Sequence, residues 1–130
     1  MYMLDTNTLI YFFKGMGEVE KKLFSHSPKD IFVSSVVIYE LQVGIAKSNS
    51  PQKRAQQLAM LLEQINVIQF GGREAKASAL IRADLEKKGV PIGAMDILIA
   101  GSSKAHHLTL VTHNTKEFAR VEGLQLEDWF

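Results

Sequence analysis

The stretch that decides the fold is YMLDTNTLIYFFK, residues 2–14. Tyr2 to Leu4 is a short β-type run and Thr8 to Lys14 has helical periodicity, so the chain passes from strand to helix through Asp5. In an open parallel α/β sheet, ligands bind outside the carboxyl ends of the strands. We therefore expect Asp5 to stand at the edge of the sheet where a site would form.

The same alternation continues along the chain. Further β-type runs lie at Ile31 to Ser34, Val67 to Phe70 and Thr109 to Thr112. Further helices are predicted at Glu18 to Ser25, Val36 to Lys47, Gln52 to Gln64, Arg73 to Lys88 (stopped by Gly89) and Met95 to His106. Strands that alternate with helices predict a parallel sheet wrapped by helices. No linker or repeat interrupts the pattern, so we predict one α/β domain over residues 1–130.

The composition is that of an ordinary globular protein. Of 130 residues, 46% are hydrophobic and 22% are charged, and there is no cysteine, which leaves carboxylates and histidines as side-chain metal ligands. No apolar run suits a membrane span or a signal peptide, so we expect a cytoplasmic protein. The net charge of +1 lacks the basic bias of a dedicated nucleic-acid binder, although three basic pairs could meet phosphates: Lys21-Lys22, Lys53-Arg54 and Lys87-Lys88.

Asp5, Glu40 and Asp96 are the candidate metal-binding acids. Helical spacing surrounds Glu40 and Asp96 with apolar residues, and a buried carboxylate needs a partner. The alternatives are an N-cap for Asp5, a salt bridge to arginine for Glu40 and a helix-dipole interaction for Asp96. If the three acids converge, their repulsion raises their pKa unless a cation neutralises them. An all-oxygen ligand set suits Mg²⁺, with Mn²⁺ as a substitute.

A second polar group follows the last predicted strand. Asn114 and Glu117 are three residues apart in a helical spacing, so both could face one site, and Thr112 precedes them. Turn or capping roles for Thr112 and Asn114, and a surface position for Glu117, are the alternatives. The four histidines have no metal-ligand spacing with the acids, so we expect them at the surface or in loops.

Short motifs, each weak alone, form a specific pattern through their order and spacing. They are MLDTN at residues 3–7, SSV at 34–36 with Glu40, Leu41 and Gly44, Gly89 through Asp96 to Ala100, LVTHN at 110–114, EF at 117–118, RV at 120–121, GL at 123–124 and EDW at 127–129. Over nearly the full length, this pattern resembles the VapC toxins of type II VapBC toxin-antitoxin pairs. These toxins are PIN-domain ribonucleases.

The resemblance implies the PIN-domain fold, a parallel sheet of four to five strands surrounded by helices. It implies a hydrolase, an Mg²⁺- or Mn²⁺-dependent endoribonuclease that cuts structured RNA such as tRNA and so arrests translation and growth. By position, Asp5, Glu40 and Asp96 match the catalytic, metal-holding acids. Thr6, Thr112, Asn114 and Glu117 match supporting positions, and Asn114 stands where many relatives have a further acid. That neutral residue lowers the ligand charge available to a second metal ion.

The resemblance also implies a homodimer that is inhibited by a cognate VapB antitoxin, with DNA contacted only through the antitoxin. Six apolar residues are candidates for the partner or dimer surface, with core packing as the alternative: Tyr11, Phe12, Phe13, Leu58, Leu61 and Leu62.

Three other functions are compatible with an Asp after the first strand. A haloacid dehalogenase-type phosphatase needs a second Asp two positions later, where this chain has Asn7. A phosphorylatable receiver domain needs an acidic pair after the first strand and an acceptor Asp on a middle strand, and neither is evident. A PIN-like module that binds RNA or protein without cutting remains the alternative to the nuclease.

Overall fold

The computed structural model describes all 130 residues as a parallel sheet surrounded by helices. The strands are β1 (Tyr2–Leu4), β2 (Ile31–Ser34), β3 (Asn66–Ile68), β4 (Thr109–Val111) and β5 (Leu126–Glu127). The helices are α1 (Thr6–Lys14), α2 (Val19–Phe24), α3 (Ser35–Ala46), α4 (Pro51–Leu62), α5 (Gly72–Lys88), α6 (Ala94–Ala105) and α7 (Thr115–Phe118), with a short 3-10 turn at Pro28–Asp30.

The five strands lie in the order β3-β2-β1-β4-β5 and every neighbouring pair is parallel. Leu4 pairs with Val111 at the carboxyl ends of β1 and β4. From β1 the chain builds the sheet outward through β2 and β3, then returns to add β4 and β5 on the other side. The order therefore reverses between β1 and β4, and such a switch point leaves a crevice for a ligand at the strands' carboxyl ends.

The predicted parallel sheet within a helical shell is confirmed. The differences lie at the ends of single helices and strands and in two short elements. Helix α1 begins at Thr6, two residues early, because the Asp5 side chain accepts the Thr8 N–H and caps it. Strand β3 ends at Ile68, two residues before the predicted end. The sequence runs gave neither α7 nor β5, which have four and two residues, because such short elements show no periodicity.

A core of 24 buried hydrophobic residues fills the space between the sheet and the helices. Its largest fully buried side chain is Trp129, which follows β5 near the end of the chain. Helices α5 and α6 pack closely at Gly101, where an added Cβ would lie 2.0 Å from the Ser78 hydroxyl oxygen. No helix combines the length and the apolar character needed to cross a membrane.

Candidate functional site

Asp5 lies at the switch point between β1 and β4. It is buried, its N–H donates to the Val111 carbonyl at 3.1 Å, and its Oδ1 accepts the Thr8 N–H at 2.9 Å. The N-cap considered from the sequence is therefore present. The cap uses Oδ1, so Asp5 Oδ2 is free to bind a ligand at the mouth of the crevice.

Glu40 reaches the same region from α3. Its Oε1 accepts a 2.5 Å hydrogen bond from the Thr6 hydroxyl, which ties α3 to the start of α1. The expectation that Glu40 sits on an apolar stripe was half right. Val36 is buried, but Val43 is 37% exposed, because the second half of α3 faces outward. The alternative of a salt bridge to arginine is wrong, since Glu40 forms no ion pair.

Asp96 lies in the first turn of α6, half-buried, and carries the clearest electrostatic signature of the site. Burial raises the pKa of its carboxyl to about 6, with further contributions from the negative charges of Glu117, Asp5 and Glu40, in that order. Carboxylates from three other parts of the chain therefore act on Asp96, two of which, Asp5 and Glu40, the sequence proposed as its partners. That the three proposed acids share one metal ion stays a prediction.

Glu117 is held beside Asp96 by two hydrogen bonds. Its Oε2 accepts from the Asn114 side-chain amide at 2.7 Å, and its Oε1 accepts from the Gly93 N–H at 3.3 Å. Asn114 is in turn fixed by its N–H, which donates to the buried Thr112 hydroxyl at 3.0 Å. Glu117 is partly exposed, so the surface position considered for it is compatible with the structure. Among the neighbouring charges, that of Glu117 contributes most to the raised pKa of Asp96. Asn114 acts on Glu117, to which its side-chain amide donates.

The donor set fits a hard divalent cation. All these side chains offer oxygen, and a cation would stabilise the charged form of Asp96, which burial first and the neighbouring carboxylates second disfavour. No three Asp, Glu or His side chains stand close enough to form a ready-made metal cluster. The residues thus have the chemistry of an Mg²⁺ or Mn²⁺ site, and binding would require the carboxylates to move closer together.

Three of the four histidines have more specific contacts than the surface or loop positions expected of them. His106 Nε2 lies 2.6 Å from Glu74 Oε2, which is buried. His26 stacks on Trp129, and His113 stacks on Phe130. None of these contacts could be read from spacing, because each partner is at least 15 residues away in the sequence.

Sequence reasoning also missed a cavity beside Glu40. It has a volume of about 320 Å³ and lies between α1, α3 and α4, with Lys14 and Arg54 among its lining residues. Helical spacing could have indicated part of its lining. Ile10 and Lys14 follow Thr6 by one and two turns, so they continue the face of α1 that contacts Glu40.

Comparison with known families agrees with this geometry. The family model of the PIN domain matches residues 2–124. The strand order with acids at its switch point, together with this match, defines the chain as a PIN-domain protein.

Relatives of known name narrow the class. The chain is 34% identical over 128 residues to the tRNA(fMet)-specific endonuclease VapC of Salmonella typhimurium strain LT2, with 98% of this chain and 97% of the relative covered. It is 36% identical over 131 residues to ribonuclease VapC2 of Rickettsia felis, covering 99% and 98%. The chain belongs to the VapC ribonuclease family, the toxins of VapBC toxin-antitoxin pairs.

Solved structures show the same likeness. The crystal structure of VapBC2 from Rickettsia felis, bound to a promoter DNA fragment, superposes with a TM-score of 0.92 at 36% identity over 99% of this chain and 98% of the other. The DNA-bound VapBC of Salmonella typhimurium also gives 0.92, at 32% identity with 99% and 98% covered. The predicted fold and family are therefore confirmed.

Proposed function

We propose that this VapC-family ribonuclease is an Mg²⁺-dependent endoribonuclease, with Mn²⁺ as a substitute, that hydrolyses phosphodiester bonds in structured RNA. One observation carries the proposal. Asp96 is half-buried at the switch point, and its burial, together with the negative charges of Glu117, Asp5 and Glu40, raises its pKa to about 6. A fold for which these charges served only stability would pair or separate them.

Each residue has a proposed task. Asp5 and Asp96 hold the metal ion, and Glu40 either joins them or orients the attacking water. When bound, the ion supplies Lewis acidity and neutralises the charge that develops on the phosphate. The Thr6 hydroxyl fixes the orientation of Glu40 through its 2.5 Å hydrogen bond. Thr112 supports Asn114, which holds Glu117 near Asp96 as an outer member of the site.

For the substrate, we propose tRNA. The support is the relative from Salmonella typhimurium, which is named a tRNA(fMet)-specific endonuclease and covers nearly the full chain. Cutting a tRNA would arrest translation and growth, and would place the activity in the cytoplasm.

For the partners, we propose a homodimer inhibited by a cognate VapB antitoxin. The support for the antitoxin is that the structure resembles solved VapBC complexes. DNA would be contacted only through the antitoxin. A groove of about 540 Å³ between α1, α2 and α4 is the proposed antitoxin surface, because Phe24 and Met60, at 69% and 65% exposure, line it with Phe12 and Leu61. Leu58, suggested from the sequence as such a surface residue, is 2% exposed and belongs to the core.

The test is cleavage of total bacterial RNA and of purified tRNA by the isolated protein with Mg²⁺, Mn²⁺ or EDTA. We expect discrete products that disappear with EDTA. The matched control is Asp5→Asn, because Asn also caps helices and so removes the charge while keeping the contact to Thr8. RNA that is bound but never cut, by wild type and variant alike, would instead establish the non-catalytic binding module.

A further inference from the structure

The cavity between α1, α3 and α4 opens beside Glu40, one of the proposed catalytic acids. Glu40 is one of its lining residues, so it adjoins the place where a phosphodiester would be cut. Its apolar lining comprises Ile10, Phe13, Leu41, Ile45 and Leu58. At about 320 Å³, it falls at the lower end of the range of roughly 300–1,000 Å³ typical of small-molecule pockets. That size suits one base with its sugar.

Gly44 in the wall of this cavity has no role in packing. It lies inside α3, where glycine costs about 1 kcal/mol relative to alanine. Its φ is not positive, and a Cβ built on it would have no atom within 4 Å. Neither backbone conformation nor a close neighbour therefore requires glycine here. What the missing side chain does provide is room in the cavity wall, one helical turn beyond Glu40.

The charges around the cavity favour a polyanion over a basic peptide. Lys14 and Arg54 both line it, both are exposed and neither forms an ion pair. Arg54 makes only a 3.4 Å hydrogen bond to Gln57, so its guanidinium can rearrange. Two free cations beside the single carboxylate of Glu40 complement the phosphates that flank a nucleotide.

We propose that this cavity is a nucleotide subsite that takes one unpaired, unstacked nucleotide of the RNA next to the bond that is cut. The base would lie in the apolar part, against the half-buried ring of Phe13, while Lys14 and Arg54 bind the flanking phosphates. The proposal rests on the proposed function, because the RNA substrate comes from there. It explains how a chain with a net charge of +1 can hold RNA beside a cluster of acids.

The first experiment measures steady-state cleavage of an initiator-tRNA transcript by Gly44→Leu. Leucine would fill the cavity, and the open space around the Cβ allows the helix to accept it. We expect KM to rise about tenfold, the lower part of the range for losing one stacked base, with kcat within about twofold of wild type. Gly72→Leu is the control, since Gly72 is also helical with open space at its Cβ but lies outside the cavity.

The second experiment removes the charges. In Lys14→Gln/Arg54→Gln, the slope of log(kcat/KM) against log[salt] should become shallower by about 0.7 for each lost contact to single-stranded phosphate. Lys53→Gln should leave the slope unchanged, because Lys53 is the neighbour of Arg54 on α4 but does not line the cavity. Unchanged KM in Gly44→Leu together with an unchanged slope in the double variant would overturn the subsite and leave the proposed nuclease intact.

A binding measurement separates this proposal from failure of the proposed function. If wild type cuts no RNA, fluorescence anisotropy with a labelled single-stranded RNA hexamer still decides. Weaker binding by Gly44→Leu supports the subsite, and equal binding overturns it. If Gly44→Leu changes neither KM nor hexamer binding but loses inhibition by a co-expressed VapB antitoxin, the cavity docks a protein segment and the subsite is wrong.

Discussion

Two acids in equivalent helical positions show opposite electrostatics. Glu74 in α5 and Asp96 in α6 are each the third residue of a helix that follows a glycine N-cap, Gly71 and Gly93. Glu74 accepts the Gly71 N–H at 2.9 Å, and its pKa is lowered by that bond first and then by His106. Asp96 makes no such bond, and burial and three neighbouring carboxylates raise its pKa to about 6.

The difference arises from which side chain accepts the N–H of the glycine before each helix. The Gly93 N–H donates to Glu117, so Asp96 is left to face the other acids. A helix N-terminus ordinarily favours the charged form of an acid placed there, as at Glu74. At Asp96 this advantage is outweighed. Glu74 is therefore an acid that stabilises the fold, and Asp96 is one that the fold supports at a cost, which is typical of functional sites.

The largest test of this comparison is catalytic. Asp96→Asn should reduce RNA cleavage at least about a thousandfold, because a ligand charge proposed to hold the metal ion is lost with almost no change in size. Glu74→Gln at the equivalent position should change the cleavage rate by no more than a few-fold. The measurement is single-turnover cleavage of tRNA at saturating Mg²⁺. Equal losses in both variants would contradict a division between functional and structural acids.

The next effect concerns stability, and here the loss is expected at Glu74 and not at Asp96. Glu74→Ala should lower the free energy of unfolding by about 2 kcal/mol, since it leaves the Gly71 N–H and the His106 ring without their partner. Urea unfolding at pH 7 measures it. The exposed Glu86→Ala in the same helix is the control, and we expect a change of about 0.5 kcal/mol or less there. A similar loss in both would show that Glu74 has no special role.

The sequence singled out the acid with the raised pKa, Asp96, and missed the buried acid with the lowered pKa, Glu74. Asp5, Glu40 and Asp96 were identified because each combines a carboxylate with a strand end or an apolar helical neighbourhood. Glu74 follows no strand end and has no run of large apolar helical neighbours, and its partner His106 is 32 residues away, so the patterns that marked the other acids do not mark it. Glu117 was underestimated for the same reason, because its link to Gly93 depends on how α6 and α7 meet in space.

A smaller effect concerns the stability of Asp96→Asn, which should increase, whereas that of Glu74→Ala decreases. The folded-state pKa of about 6 lies above the ordinary value of 3.8, so the metal-free fold loses stability as the pH rises from about 4 to 6. Asp96→Asn removes this loss. After a discount for solvent screening of this half-buried group, we expect the variant to be about 1 kcal/mol more stable at pH 7 in EDTA, or about 4 °C in Tm.

Two arms check the origin of that gain. At about pH 3, below the ordinary pKa of 3.8, Asp96 is mostly neutral in both the folded and the unfolded state, so the Tm values of the two proteins should approach each other. Excess Mg²⁺ at pH 7 should stabilise wild type more than the variant, because binding to the folded state shifts unfolding by mass action. A variant that is less stable than wild type at pH 7 in EDTA would show that Asp96 makes a favourable contact and that the repulsion is unimportant.

The smallest effect tests the partner of Glu74. His106→Gln keeps a donor but with a different reach, so the 2.6 Å contact weakens and stability at pH 7 should fall by about 0.5 kcal/mol. The Gly71 N–H still lowers the pKa of Glu74, so most of the contribution of Glu74 to stability survives in this variant.

The pH dependence checks the origin of the effect. The contribution of Glu74 to stability is present above the ordinary pKa of 4.5 and is lost as the pH falls through the lower folded-state value. The difference between wild type and His106→Gln should therefore shrink as urea unfolding is repeated from pH 7 down to pH 3. If the difference stays constant, the histidine stabilises the α5–α6 contact by packing, and the Gly71 N–H is the contact that lowers the pKa of Glu74.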